Sequence, residues 1–206
     1  MKRTLLDPNE RIVIHHNHPD NSGLSIEDWA QFAYPGLHAV WAHGHEGAVS
    51  RGELTDETRG AVARMSPEQT WHKIYSAAGR AVRRVHQLLS QEVMHGRLTP
   101  KQLDDYGPHL VNAILQAAGI VDYRSNIDLT DTLARLDLGE KLNGIAINAQ
   151  REFFGSIPVF SLIRLGEPDI LLSSSRQFVS QVLKRDTPAA AHFSNFVAAD
   201  AAALAF

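Results

Sequence analysis

Cysteine is absent from all 206 residues, which rules out disulfides and thiolate metal sites. Any metal must then sit on His, Asp or Glu. No apolar run approaches the ~20 residues needed to span a bilayer. After Lys2-Arg3 only two leucines precede Asp7-Pro8, too few for a signal-peptide core. With thiols also lacking, the expectation is a cytoplasmic protein with no membrane partner. Neither sign of charge dominates: the formal net charge of −3 gives no electrostatic footing for nucleic acid. The 44% apolar and 21% charged content is that of an ordinary globular chain, long enough for one large domain or two small ones.

What the chain has in excess is histidine. There are eleven, and six of them fall between positions 15 and 45. Ile12-Val13-Ile14 is β-branched and predicts a strand running into His15-His16-Asn17-His18-Pro19. Alternate residues of a strand share a face, so His16 and His18 project side by side and His15 points away from them. Asp20-Asn21-Ser22-Gly23 is a loop by composition. Ser25 is placed to cap a helix that reaches Phe32 or Ala33, with Asp28 in its first turn. Two imidazoles and one carboxylate suit zinc, with the fourth position left for water. His16, His18 and Asp28 are therefore the candidate metal ligands. The plainer reading makes Ser25 only an N-cap and Asp28 only a favourable charge at the helix start.

Pro35-Gly36 ends that helix, Leu37 to Ala42 reads as a second strand, and Gly44-His45-Glu46-Gly47 as a hairpin turn returning through residues 48–51. His43 and His45, beside this turn, read as surface residues. Ser66-Pro67-Glu68-Gln69 starts a long helix. Apolar residues then recur at three- and four-residue steps from Trp71 to Leu89, a stripe expected in the core, and the helix ends near Gly96. Arg80, Arg83, Arg84 and His86 form a basic stretch read as a solvated face. Thr99-Pro100 starts a further helix, and Leu110 to Leu115 suggests one more, stopped by Gly119. Strands are expected at 157–163 and 170–172, a helix at 177–184 and an alanine-rich helical tail from 189. The fold class expected is α+β: a small mixed sheet carrying the His motif, with a largely helical remainder. Residues 1–58 form the metal-site segment, 59–125 a helical region, and 126–206 a mixed strand and helix region that packs on the first.

The order His16-Asn17-His18-Pro19 followed by Ser25-Ile26-Glu27-Asp28 resembles the signature of the JAB/MPN (JAMM-motif) zinc metallopeptidases, prokaryotic members included. The resemblance covers residues 8–55. It implies that His16, His18 and Asp28 bind zinc and that Ser25 donates a hydrogen bond to the developing oxyanion. The implied activity is a zinc-dependent peptidase or isopeptidase acting on a protein or peptide. The six-residue loop from Pro19 to Leu24 stands where the family usually has seven. The family's catalytic glutamate lies on an upstream strand, and Glu10 is the sole glutamate before His16. Glu152 and Glu167 are alternatives if strands at 150–175 complete the sheet. Otherwise another chain supplies the base, or the protein is a non-catalytic scaffold with a relic metal site. A protein partner or a second copy of the chain is expected in those cases. The letters His16-Asn17-His18 also suggest a His-Asn-His nuclease, but such enzymes spread those residues over a whole ββα unit.

Overall fold

Ile12–His18 forms the first strand, β1, of a computed structural model that describes residues 5–155. The chain then crosses over through α1 (Ile26–Ala30) and a 3₁₀ turn (Gln31–Ala33) to β2 (Leu37–Gly44). That crossover allows β1 and β2 to run parallel, with His15 beside Trp41 and His16 beside Ala42. The hairpin comes next: β3 (Val49–Leu54) pairs antiparallel with β2. Three helices follow: α2 (Asp56–Val62), α3 (Pro67–Met94) and α4 (Pro100–Ala117). A fourth strand, β4 (Val121–Ser125), pairs antiparallel with β3. Two more helices, α5 (Thr130–Leu136) and α6 (Gly139–Phe154), complete the described residues. The sheet order is β1-β2-β3-β4, and the fold is α+β.

Local chemistry explains most boundaries. Ser66 and Thr99 each cap a helix with a capping box and a proline in the first turn. Ile74, Ala77, Ala78, Ala81, Val85 and Leu89 form the buried stripe of α3. Trp71, expected in that stripe, is 38% exposed and stacks on Tyr75 instead. Residues 100–117 form one helix rather than two, with Pro108 inside it. The proline removes one backbone donor, but Leu103 before it and Leu110, Val111, Ile114 and Leu115 after it all pack on one core. That shared burial outweighs a single missing bond. Gly119 then takes φ +72°, a left-handed conformation that glycine adopts without strain, and turns the chain into β4.

That strand closes the region expected to be helical through 125. It alternates buried Val121, Tyr123 and Ser125 with half-buried Asp122 and Arg124, so it packs one face on the core. One hydrophobic core runs from Leu24 to Phe153 and draws on both the His-bearing segment and the later helices. The strands and helix expected between 157 and 184, and the tail from 189, lie outside the described residues.

Trp29 of α1 is completely buried, stacked near Phe32 and edge-on to Tyr123. Its indole lies over Gly52 of β3, where an added Cβ would collide with the Trp29 ring and with Leu24. Gly52→Ala is expected to destabilise the protein by about 2–3 kcal/mol through overpacking. Urea unfolding measures this, and an unchanged midpoint would show that α1 does not press on the sheet as described.

Candidate metal centre

The parallel pairing with β2 holds β1 extended to its last residue, so His16 and His18 leave the same face. Their Nε2 atoms lie 2.9 Å apart. The carboxylate of Asp28 reaches them from the first turn of α1: Oδ1 is 3.2 Å from His16 Nε2, and Oδ2 is 3.4 Å from His18 Nε2. Side-chain exposure falls from 28% at His16 to 8% at Asp28, so the group opens to solvent on the His16 side.

A tetrahedral ion with bonds of about 2.0–2.1 Å needs ligand–ligand edges of about 3.3 Å. The imidazole–imidazole edge is 2.9 Å, the 3.2 and 3.4 Å contacts are made by different oxygens of Asp28, and one donor atom from each residue lies within 4.8 Å of the other two, in a donor set chemically suited to a divalent ion. The group could hold a metal ion. No other cluster of three or more such side chains occurs among the described residues.

Asp28 has two roles at once. Its Oδ2 accepts from the Ser25 backbone N–H at 2.8 Å, and its own N–H donates to Ser25 Oγ at 3.1 Å. This is a reciprocal capping box, so Ser25 is the N-cap that the sequence suggests. The Ser25 hydroxyl proton is not consumed by that bond, since the oxygen acts there as acceptor. Burial would raise the Asp28 pKa, but hydrogen bonds from His18 and the Ser25 amide carry it below its ordinary value. The bond to Asp28 conversely raises His18 against the effect of burial. Ser22 Oγ lies 3.1 Å from His18 Nδ1. With a proton on Nδ1 donated to Ser22, a metal displacing the Nε2 proton that bonds Asp28 would meet the Nε2 lone pair, the tautomer a metal requires.

The loop carrying Ser22 is tied to a buried polar network from α4 and the sheet. His109 Nε2–H donates to the Asn21 carbonyl at 2.7 Å, and its Nδ1 lies 2.6 Å from Tyr123 Oη. Asn112 accepts from Trp29 Nε1 at 2.6 Å and donates to the Leu24 carbonyl at 3.1 Å. Tyr123 Oη is also 3.0 Å from Ser50 Oγ. Burial raises the Tyr123 pKa, so its phenol stays a donor. No local pattern in the sequence marks His109, Asn112 or Tyr123, because their partners lie far away along the chain. Ser22 was visible only as a loop residue.

The remaining sequence candidates lie elsewhere. His15 stacks on Trp41 and His43 across the other face of the sheet, with its Nδ1 3.1 Å from His43 Nε2. His43 is thus a half-buried strand residue, while His45 is an exposed turn residue. Burial lowers the pKa of both His15 and His43. Glu10 is exposed in the lead-in to β1, and Glu152 pairs with Arg80 between α6 and α3. Neither joins the ligand group. Glu167 lies outside the described residues. Arg83, Arg84 and His86 are exposed.

No protein-family model, curated protein or solved structure matches this chain. Among the described residues, no helix is long and apolar enough to cross a membrane.

Burial lowers the pKa of His109 below its ordinary 6.5, against weaker opposing contributions from the Asn21 carbonyl, Asp105 and Asp20. The unfolded chain therefore takes up a proton near pH 6.5 while the folded chain does not. This contribution to stability is complete above pH 6.5 and declines as pH falls toward the folded pKa. In urea unfolding between about pH 7.5 and 5.5, the stability advantage of the wild type over His109→Gln is expected to shrink with falling pH. A constant advantage would contradict the buried neutral imidazole.

Proposed function

We propose that the chain is a zinc-dependent peptidase or isopeptidase of JAB/MPN type, with His16, His18 and Asp28 as ligands and a protein or peptide as substrate. The observation that carries this reading is the meeting of two imidazole nitrogens 2.9 Å apart with a carboxylate whose two oxygens lie 3.2 and 3.4 Å from them, beside a serine three residues before the carboxylate. Zinc held by these side chains would supply Lewis acidity that activates water toward an amide carbonyl. The chain's own residues then have separable tasks. Ser22 fixes the tautomer of His18, the capping box aims Asp28, and the Ser25 hydroxyl donates to the oxygen that gains charge. The partly exposed His16 side gives a substrate access. A cytoplasmic setting belongs to the proposal and rests on the cysteine-free composition.

A second reading is favoured by one observation: among the described residues no glutamate accompanies the ligand group. In that reading the metal is structural and the protein serves as an interaction scaffold, binding a protein partner or a second copy of itself.

The purified full-length chain is expected to hold one equivalent of zinc, lost in the His16→Ala/His18→Ala double variant, and to cleave peptides only when loaded. Ser25→Gly tests the hydroxyl separately, because glycine at an N-cap costs only a few tenths of a kcal/mol. Turnover is expected to fall by roughly 10²-fold while zinc content holds. Stoichiometric zinc without turnover would select the scaffold reading; cleavage that survives loss of both histidines would eliminate the metallopeptidase.

A further inference from the structure

The metal ligands belong to the first thirty residues, yet the loop between them is held by residues more than eighty positions further along the chain. That loop must place Ser22 under His18 and Ser25 at the head of α1. Its two flanking carbonyls, Asn21 and Leu24, are both taken by side chains of α4: His109 binds the first and Asn112 the second. Between them sits Gly23, where an added Cβ would lie 2.6 Å from Tyr123 Oη and 2.7 Å from Asn112 Nδ2. The loop is therefore pressed against the network as well as bonded to it.

The direction of these bonds is fixed by chemistry. A carbonyl only accepts, so His109 Nε2 carries the proton that reaches Asn21. Neutral His109 then has a lone pair on Nδ1, and the Tyr123 hydroxyl must donate to it. With Ser50 of β3 behind Tyr123, a continuous relay runs from the sheet through α4 to the ligand loop. Ser22 is the residue next to Asn21, so a shift of that carbonyl moves the group that orients His18.

We propose that His109 and Tyr123 are positioning residues for the metal centre: their hydroxyl–imidazole relay pins the Asn21 carbonyl and thereby sets the ligand geometry of His18 and Asp28. This rests on the reading of His16, His18 and Asp28 as metal ligands. It goes beyond that reading in making the site depend on α4 and β4, which lie outside the stretch that carries the sequence motif.

The test uses the full-length protein, Co²⁺ as probe, and visible spectroscopy, which reports both affinity and coordination geometry. Tyr123→Phe removes one hydroxyl and keeps the ring. His109→Leu removes the imidazole bonds, and His109→Gln can restore a donor toward Asn21. Tyr123→Phe and His109→Leu are expected to weaken Co²⁺ binding about tenfold and to alter the spectrum, with His109→Gln recovering part of the affinity. Amide exchange at Ser25, whose N–H is bound to Asp28, is expected to speed up in the same two variants without any metal. Wild-type affinity, spectrum and Ser25 exchange in Tyr123→Phe would overturn the proposal, even if His109→Leu failed to fold. A wild type that binds no Co²⁺ would instead overturn the metal reading. Ser25 exchange would still decide whether the relay holds the loop.

Discussion

The carboxylate of Asp28 is the constraint around which the N-terminal half is organised. Burying an ionised carboxylate costs several kcal/mol unless hydrogen bonds and charge compensate it. Here the compensation comes from three directions: the Ser25 amide, the positive end of the helix it caps, and two imidazoles from β1. Each partner must be in place for the others to be favourable. The start of α1, the face of β1 and the loop between them are therefore one structural unit. A cation between His16, His18 and Asp28 would add to this balance, since it would offset the buried negative charge more completely than neutral imidazoles can.

The unit is set into the rest of the molecule by one large ring and one amide. Trp29 closes over Gly52 and is anchored by Asn112, and Asn112 also takes the Leu24 carbonyl. This places α1 on the sheet at a fixed height and gives the loop a fixed end. Buried polar groups of this kind are costly when half-satisfied and rigid when complete. The relay of Ser50, Tyr123 and His109 is continuous to the Asn21 carbonyl, which makes a rigid loop the expected consequence. The His-bearing segment and the helices thus share both a core and a polar network.

Much of the local structure was legible in the residues. The β-branched run before the histidines, the Ser25 and Ser66 caps, the Thr99-Pro100 start and the period of α3 each announce themselves over four to ten residues, and each element forms there. The juxtaposition of His16 and His18 follows from strand geometry alone. Elements were missed where the local signal was weak or misleading. Val121, Tyr123 and Ser125 alternate, but over only five residues directly after a helix. Helix α6 has no side-chain cap and carries glycine at two positions. The two helices expected from Thr99-Pro100 and from Leu110 to Leu115 are one, because residues on both sides of Pro108 pack on the same core.

By itself the sequence determined the donor set: two imidazoles two residues apart, a carboxylate three residues after a capping serine, and no thiol to compete with them. Spacing of that kind is governed by the periods of strand and helix, which operate within a few residues. Only the tertiary structure decided that these donors meet within 4.8 Å of one another, that Ser22 lies against His18, and that His109, Asn112 and Tyr123 hold the loop. The last of these depends on contacts between residues more than eighty positions apart, such as Asn21 with His109 and Trp29 with Asn112. Neither hydrophobic period nor capping chemistry carries information over that distance. It is the burial of a shared core that brings those partners together.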